Sequence, residues 1–325
     1  MAEGISPPSF TGGMENLMKS IELNSASKFQ SSSRKASASP IKRLLWPSII
    51  FVALVTQIPF LVTIYYSFLD WNLMRPDKGA KFVWFANFKA IFTGAEFYTV
   101  LGNTFILTAC TLLLCLVFGL GLALLMNRDF LGKGLLRTIF VAPFFVMPAV
   151  SGIIWKTAIL NPNFGITAYF AGLMGQDAVD FLGSYPLQTI IALVSWQWIP
   201  FFMLIILAGL QSVPKDAMEA GMIDGASIFQ RFIYVVLPHL LRYIEVAMLL
   251  GLLFIMQTFG EIYVTTSGGP GYSSTNLPFY VYRVGFKGWD IGGASAIGVV
   301  IVIITLLLLK YLFKFLRRTF RGELS

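Results

Sequence analysis

The feature that most constrains this chain is a series of six apolar runs, at residues 44–69, 102–126, 136–155, 187–210, 244–264 and 291–309. At a rise of about 1.5 Å per residue, each is long enough to cross a hydrocarbon core about 30 Å thick. Lipid offers no partner to a backbone N–H or C=O, so a run of this kind satisfies its own backbone by becoming a helix. The expected fold is therefore all-α, a polytopic membrane protein with six transmembrane helices. Composition agrees: 56% of the 325 residues are hydrophobic and only 12% charged, far from a soluble average.

The formal net charge of +8 would suggest nucleic-acid binding in a soluble protein. Here the Lys and Arg residues flank apolar runs instead of covering one polar face, so they are topology signals and nucleic acid is not an expected partner. Six spans put both termini on one side. That side holds seventeen Lys and Arg residues, in the N-terminal tail, around Arg128, Lys133 and Arg137, around Lys215, Arg231 and Arg242, and from Lys310 onward; the other side holds seven. The richer side is cytoplasmic. Residues 1–40 are rich in Ser, Lys and Gly and poor in large apolar groups, which predicts a flexible cytoplasmic tail; residues 321–325 form a second, short tail. The segment 13–20 nearly spells a phosphate loop, but Met18 stands where its second glycine is required. ATP is therefore expected on another subunit. The first run follows Lys42 and Arg43 and is too long for a cleavable signal, so it is retained. Cys110 and Cys115 fall in one apolar run, which suggests packing and neither a disulfide nor a metal site.

Between the fourth and fifth runs lies a polar segment, 212–238, with the pattern of a helical hairpin. Ser212 can cap a first short helix with Pro214 early in it, and Asp224-Gly225 supplies a turn. Ile228, Phe229, Phe232, Ile233 and Val236 recur at helical spacing in a second helix, and Pro238 discourages its continuation into the next span.

The residues Glu219-Ala220, Asp224-Gly225-Ala226, Phe232 and Leu237-Pro238 resemble the signature of binding-protein-dependent ABC importer permeases: EAA, three residues, G, nine residues, then I-x-L-P. Gly221 and Val235 depart from it, where the family has alanine and isoleucine. The patterns 119–128, Arg137 with Pro143 and Pro148, Trp155, 161–165 and 207–211 extend the resemblance to carbohydrate-type members, those for sugars, polyols, maltose and glycerol phosphate, over about 41–320. It implies that 212–238 is a cytoplasmic coupling hairpin docking on an ATPase subunit through Glu219, Ala220, Asp224, Gly225, Ala226, Phe232, Leu237 and Pro238. It further implies a second homologous permease subunit, two ATPase subunits that bind ATP and Mg, an extracytoplasmic solute-binding protein, and a place in the bacterial inner membrane. No cofactor is expected on this chain.

After the fifth run, Ser267, Gly268, Gly269 and Pro270 enforce a tight outward loop. With Thr275 they resemble the loop by which sugar importers reach toward the binding protein; the plain alternative is a solvated turn. Polar groups inside spans are costly and so are functional candidates. Asn103, Gln197 beside Trp196, Gln257 and Glu261 are the candidates for a solute path, with Gln57 also inside a run. Amides flanked by aromatics suit an uncharged, hydroxylated solute, while interhelical hydrogen bonding is the competing use. Two other mechanisms are weighed. Glu261 would serve a proton-coupled secondary transporter, although no facing charged partner is evident, and an ion-pair or loop-anchoring role fits it better. His239 would serve an intramembrane hydrolase, although no serine or cysteine stands near it in a nucleophile setting. No His, Cys and carboxylate cluster suggests a metal site.

Overall fold

The computed structural model describes residues 38–321, with side chains from 45 to 316. The tail at 1–37, including the near-miss phosphate loop at 13–20, lies outside the described residues, as does 322–325; positions 38–40, expected in the tail, are already helical. In chain order the elements are α1 (Ala38–Ser67), β1 (Leu69–Asp70), β2 (Lys81–Phe82), α2 (Ala86–Thr93), α3 (Ala95–Met126), α4 (Lys133–Phe145), α5 (Pro148–Ile154) and α6 (Ile166–Leu173). They continue with α7 (Phe181–Ser184), α8 (Pro186–Gln211), α9 (Lys215–Ile223), α10 (Ile228–Arg231), α11 (Leu237–Ile255), α12 (Gly260–Val264), α13 (Leu277–Tyr282) and α14 (Ile291–Arg321). The chain divides inside α1 into two compact units, Met1–Val62 and Thr63–Ser325. In the first, α1 is apolar all round, with Leu45, Ile49 and Phe51 exposed. The rest of this description concerns the second.

Among the described residues five helices are long and apolar enough to cross a membrane, and a sixth span exists if the bent pair formed by α4 and α5 counts as one. That bend, 105°, is where the third run departs from a straight helix. Pro148 is its cause: a proline ring disfavours the helical conformation of the residue before it, and Met147 is accordingly extended, with ψ 139°.

The fifth run also differs from expectation at both ends. Pro238 does not stop the helix. Phe232–Val236 forms a π turn in which the Leu237 N–H reaches back five residues to the Phe232 carbonyl, and this wider turn carries the chain from α10 into α11 with Pro238 in the first turn, where its missing N–H costs no helical bond. The 28-residue span is thus Ile228–Ile255. At the far end α11 stops at Ile255 and a separate short helix, α12, starts at Gly260, so the expected single span 244–264 is a helix, a break and a second helix.

The core forms around α8, which packs on α3, α4 and α11. Its Ile190, Leu193, Val194, Phe202, Met203 and Ile206 are fully buried. Phe202 sets the spacing. A Cβ on Gly119 of α3 would lie 2.7 Å from the Phe202 Cβ, and one on Gly251 of α11 would lie 2.6 Å from its Cζ, so the ring fills a slot that exists because both neighbours are glycine. The β1–β2 ribbon pairs Leu69 with Phe82, and the Asn87 amide donates to the Ser67 and Leu69 carbonyls at 2.9 and 2.8 Å. This cap joins the start of α14 through Ile291 N–H to Trp71 O at 2.9 Å.

Gly251→Val is expected to overpack the Phe202 slot and to destabilise the protein by about 1–3 kcal/mol, read as a lower thermal midpoint in detergent; an unchanged midpoint would show that the slot relaxes freely.

Candidate functional site

The hairpin between α8 and α11 is built from local rules. Ser212 does not cap α9. It ends α8, and the extended Pro214 (ψ 128°) takes the N-cap position of α9. At the other end of α9, Asp224 is the C-cap, Gly225 has φ +75°, the Gly225 N–H donates to Met222 O at 3.1 Å and the Ala226 N–H to Gly221 O at 3.0 Å. This pair of bonds is the Schellman closure, which needs a left-handed residue where Gly225 stands. The next residue, Ser227, begins α10 with a reciprocal cap: its Oγ accepts from Gln230 N–H at 3.2 Å and its own N–H donates to Gln230 Oε1 at 2.8 Å. The S-x-x-Q spacing of that box was legible in the sequence, but the reading above passed over it. Two helices thus meet through a linker with no slack.

Gly221, the departure from the family signature, has a local reason. A Cβ there would lie 3.2 Å from Cγ and 3.4 Å from Cδ of Arg231, so glycine lets the arginine stem lie across α9. The tip that results is apolar and open: Ile223, Ile228 and Phe229 are 87%, 79% and 71% exposed. Behind it a cleft of about 410 Å³ is lined by Glu219 with Asn127, Lys215, Met218, Met222 and Val236. Leu237 and Pro238 lie where the π turn hands over to α11, and Phe232 begins that turn.

A second constellation is the segment between α12 and α13. Ser267 and Gly268 are left-handed (φ 50° and 78°), and the Gly269–Pro270 peptide is cis. It is not a solvated turn along its whole length: Ser274, Thr275 and Asn276 are buried. Thr275 Oγ1 donates to Gly268 O at 2.8 Å and Ser274 Oγ to Gly269 O at 3.1 Å. Arg283 donates to Gly271 O at 2.7 Å and stacks on the Tyr272 ring at 4.1 Å.

The solute-path candidates separate. Asn103 is buried, and its amide nitrogen donates to Tyr272 O at 2.7 Å and Thr275 O at 3.2 Å, holding the segment between α12 and α13. Gln197 is buried, donates to Val146 O at 2.7 Å and accepts from Ser151 Oγ at 3.1 Å; it serves the carbonyl set free by the break before Pro148. Trp196 packs its ring on Trp155 at 5.9 Å. Glu261 is buried in the first turn of α12 and has no ion-pair partner among the described residues. Gln257 is exposed, with Nε2 donating to Leu253 O at 3.1 Å. Beside it, Phe254 is 49% exposed and stacks on Trp198 at 5.4 Å, and Phe144 joins the group 5.6 Å from Trp198 and 5.7 Å from Phe201. The sequence reading missed this aromatic wall, because Trp198, Phe254 and Phe144 come from three runs with no spacing to link them.

His239 has a hydroxyl neighbour, with Ser212 Oγ 2.8 Å from Nε2. The pair is not a nucleophile and base. An imidazole base is oriented by a carboxylate on its other nitrogen, whereas here the cation Arg242 stands 3.4 Å from Nδ1, and the Ser212 proton is given to Gly209 O at 2.8 Å. The described residues hold no cluster of His, Cys and carboxylates able to bind a metal.

The pattern of the family described as binding-protein-dependent transport system inner membrane component matches residues 115–322. The chain belongs to that family. A probable ABC transporter permease of Sinorhizobium fredii is 35% identical over 286 residues, 87% of this chain and 91% of that one. The trehalose transport system permease of Mycobacterium tuberculosis is 32% identical over 87% of this chain and 91% of its own length, and the trehalose/maltose transport system permease of Thermococcus litoralis is 32% identical over 81% and 88%. The fold is also that of a chain from a bacterial alginate ABC transporter crystallised with its alginate-loaded periplasmic protein, with a TM-score of 0.73 at 22% identity over 86% of this permease and 94% of that chain. This permease is therefore a multi-pass inner-membrane transport subunit of a binding-protein-dependent ABC importer, not an enzyme, and the secondary-transporter and hydrolase readings fall away.

Gly225→Val places a β-branched residue in the left-handed region, at about 1–2 kcal/mol or more. It is expected to open the hairpin and to raise amide exchange across 220–231 without changing exchange in α8; unaltered exchange would remove the Schellman closure as what holds the tip.

Proposed function

We propose that the hairpin at 212–238 is the cytoplasmic coupling element of this importer and that the solute it moves is a sugar or sugar alcohol. The observation that supports the first part most is the apolar tip, Ile223, Ile228 and Phe229, held on a slack-free turn directly between two spans. A rigid apolar knob facing the aqueous side needs a protein cleft to fill. The ATPase subunit supplies it, with Glu219 at the cleft behind the knob and Glu219, Ala220, Asp224, Gly225, Ala226, Phe232, Leu237 and Pro238 forming or supporting the contact. In this reading all six spans cross, both termini are cytoplasmic, and a second homologous permease completes the path. Two ATPase subunits bind ATP and Mg, and this chain carries no cofactor. ATP-driven closure of the ATPases pushes the hairpins and rocks the spans between inward and outward opening.

The solute class rests on two supports. Relatives are named for trehalose and for trehalose/maltose, and the half-open wall of Trp198, Phe254, Phe144 and Phe201 beside Gln257 offers ring faces and an amide, which suits sugar C–H faces and hydroxyls. Of the earlier path candidates, Gln257 keeps this role, whereas Asn103, Gln197, Trp196 and Glu261 frame the path from behind. On the outer side the loop carrying Ser267, Gly268, Gly269, Pro270 and Thr275 meets the binding protein.

In vesicles containing the whole importer, Glu219→Ala is expected to leave the subunits assembled while uptake falls at least about tenfold, the loss of a charge-assisted contact; full uptake would overturn the docking reading. Trp198→Ala is expected to raise the half-saturating concentration for uptake of the transported sugar about 2- to 10-fold, the range of one aromatic contact; an unchanged value would remove the wall from the path.

A further inference from the structure

The hairpin hangs from two roots, the end of α8 and the start of α11, and one polar cluster ties them together. Ser212 closes α8. Its hydroxyl donates to Gly209 O at 2.8 Å, which leaves the oxygen lone pairs for the Tyr243 hydroxyl at 2.7 Å and His239 Nε2 at 2.8 Å. His239 and Tyr243 sit one turn apart on α11, so both reach the same oxygen. Arg242, from the same turn, places Nη2 3.1 Å from Nε2 and 3.4 Å from Nδ1 of His239, with its guanidinium 5.1 Å from the centre of the Tyr243 ring. The ring lies so close to α8 that a Cβ on Gly209 would be 2.7 Å from it. A serine, a glycine and three polar side chains from two spans therefore form one knot, and it holds the chain's only histidine.

Its position gives it a mechanical meaning. Toward α8 the hairpin is attached through Val213 and the extended Pro214; toward α11 it is attached through the π turn Phe232–Val236. Both attachments are compliant, the first because it is held only by two long bonds, Val213 N–H to Leu210 O and Met218 N–H to Pro214 O, each 3.4 Å, and the second because a π turn is a weakened stretch of helix. Push on the tip reaches α8 and α11 by two separate compliant routes, and the two helices respond separately unless their roots are joined. We propose that the Ser212–His239–Tyr243 knot joins them, so that α8 and α11 respond to the hairpin as one body, and that these three are positioning residues for coupling ATP hydrolysis to transport. The inference rests on the coupling reading of the hairpin.

The test uses the whole importer in lipid vesicles with its binding protein and compares solute imported with ATP hydrolysed. Ser212→Ala and Tyr243→Phe are expected to lower that ratio about fivefold, the shift produced by one lost hydrogen bond, with subunit assembly and ATPase turnover retained. Ser212→Thr, which keeps the hydroxyl, is expected to preserve the ratio. Tyr243→Phe removes a single oxygen and leaves the ring against Gly209, so it decides the matter if Ser212→Ala does not assemble. An unchanged ratio in Tyr243→Phe, or an equal fall in Ser212→Thr, overturns the knot while leaving the coupling reading intact. A wild-type importer whose uptake does not depend on ATP overturns both.

Discussion

Backbone polar groups at membrane depth have to find partners inside the protein, and most of the polar chemistry in this chain is explained by that one requirement. The third run is broken before Pro148, and Gln197 meets the Val146 carbonyl there. The fifth is broken after Ile255, where the Asn276 amide donates to Thr258 O at 2.5 Å and the Thr258 hydroxyl to Ile255 O at 2.7 Å. α12 ends without a helical continuation, and Lys156 donates to the Val264 and Thr265 carbonyls at 3.2 and 3.0 Å. Asn103 and Thr104 on α3 do the same for the loop before α13, with Thr104 accepting the Leu277 N–H at 2.9 Å. A buried amide in a span is thus first a mark of irregular backbone nearby. Gln257 differs in being exposed, although its Nε2 too donates to a backbone carbonyl, that of Leu253.

This separates what the sequence made legible from what it did not. Run lengths and the proline and glycine positions were enough for a mostly helical membrane protein and for the turn at Asp224-Gly225, because a helix in lipid and a glycine-closed turn are decided within a few residues. The break at Pro148 had its cause in plain view and was still missed, since hydropathy sums over a run and is blind to a kink within it. Pro238 misled in the opposite direction. Its missing N–H and its ring argue for a stop, but widening the preceding turn by one residue removes the clash and lets the helix run on. Pairings such as Gln197 with Val146, Asn103 with Tyr272 and Ser212 with His239 join residues 51, 169 and 27 positions apart, and no local pattern encodes them.

The family signature acquires physical content once the hairpin is seen. Its invariant-looking glycine is Gly225, the left-handed closure of α9; its alanine and following residues are the surface of a short exposed helix; its terminal L-P is the place where a π turn becomes a span. The third position of the EAA triplet, Gly221, faces the stem of Arg231, so its size trades against the residue on α10 that crosses it.

The β1–β2 end of the molecule and the α9–α10 end are stabilised differently. The cap at the β1–β2 end is held largely by contacts distant in sequence: Trp71 to Ile291, Asn103 to Tyr272, with Arg283 stacked on Tyr272. Such a surface moves only when the spans beneath it move. The hairpin tip is held almost wholly by its own neighbours, Gly221 to Ala226 and Ser227 to Gln230, so it keeps its shape whatever the spans do. A contact that has to stay seated on a moving partner through a cycle requires a head rigid in itself, and the compliance then has to lie at its roots, between Val213 and Pro214 and in the Phe232–Val236 turn.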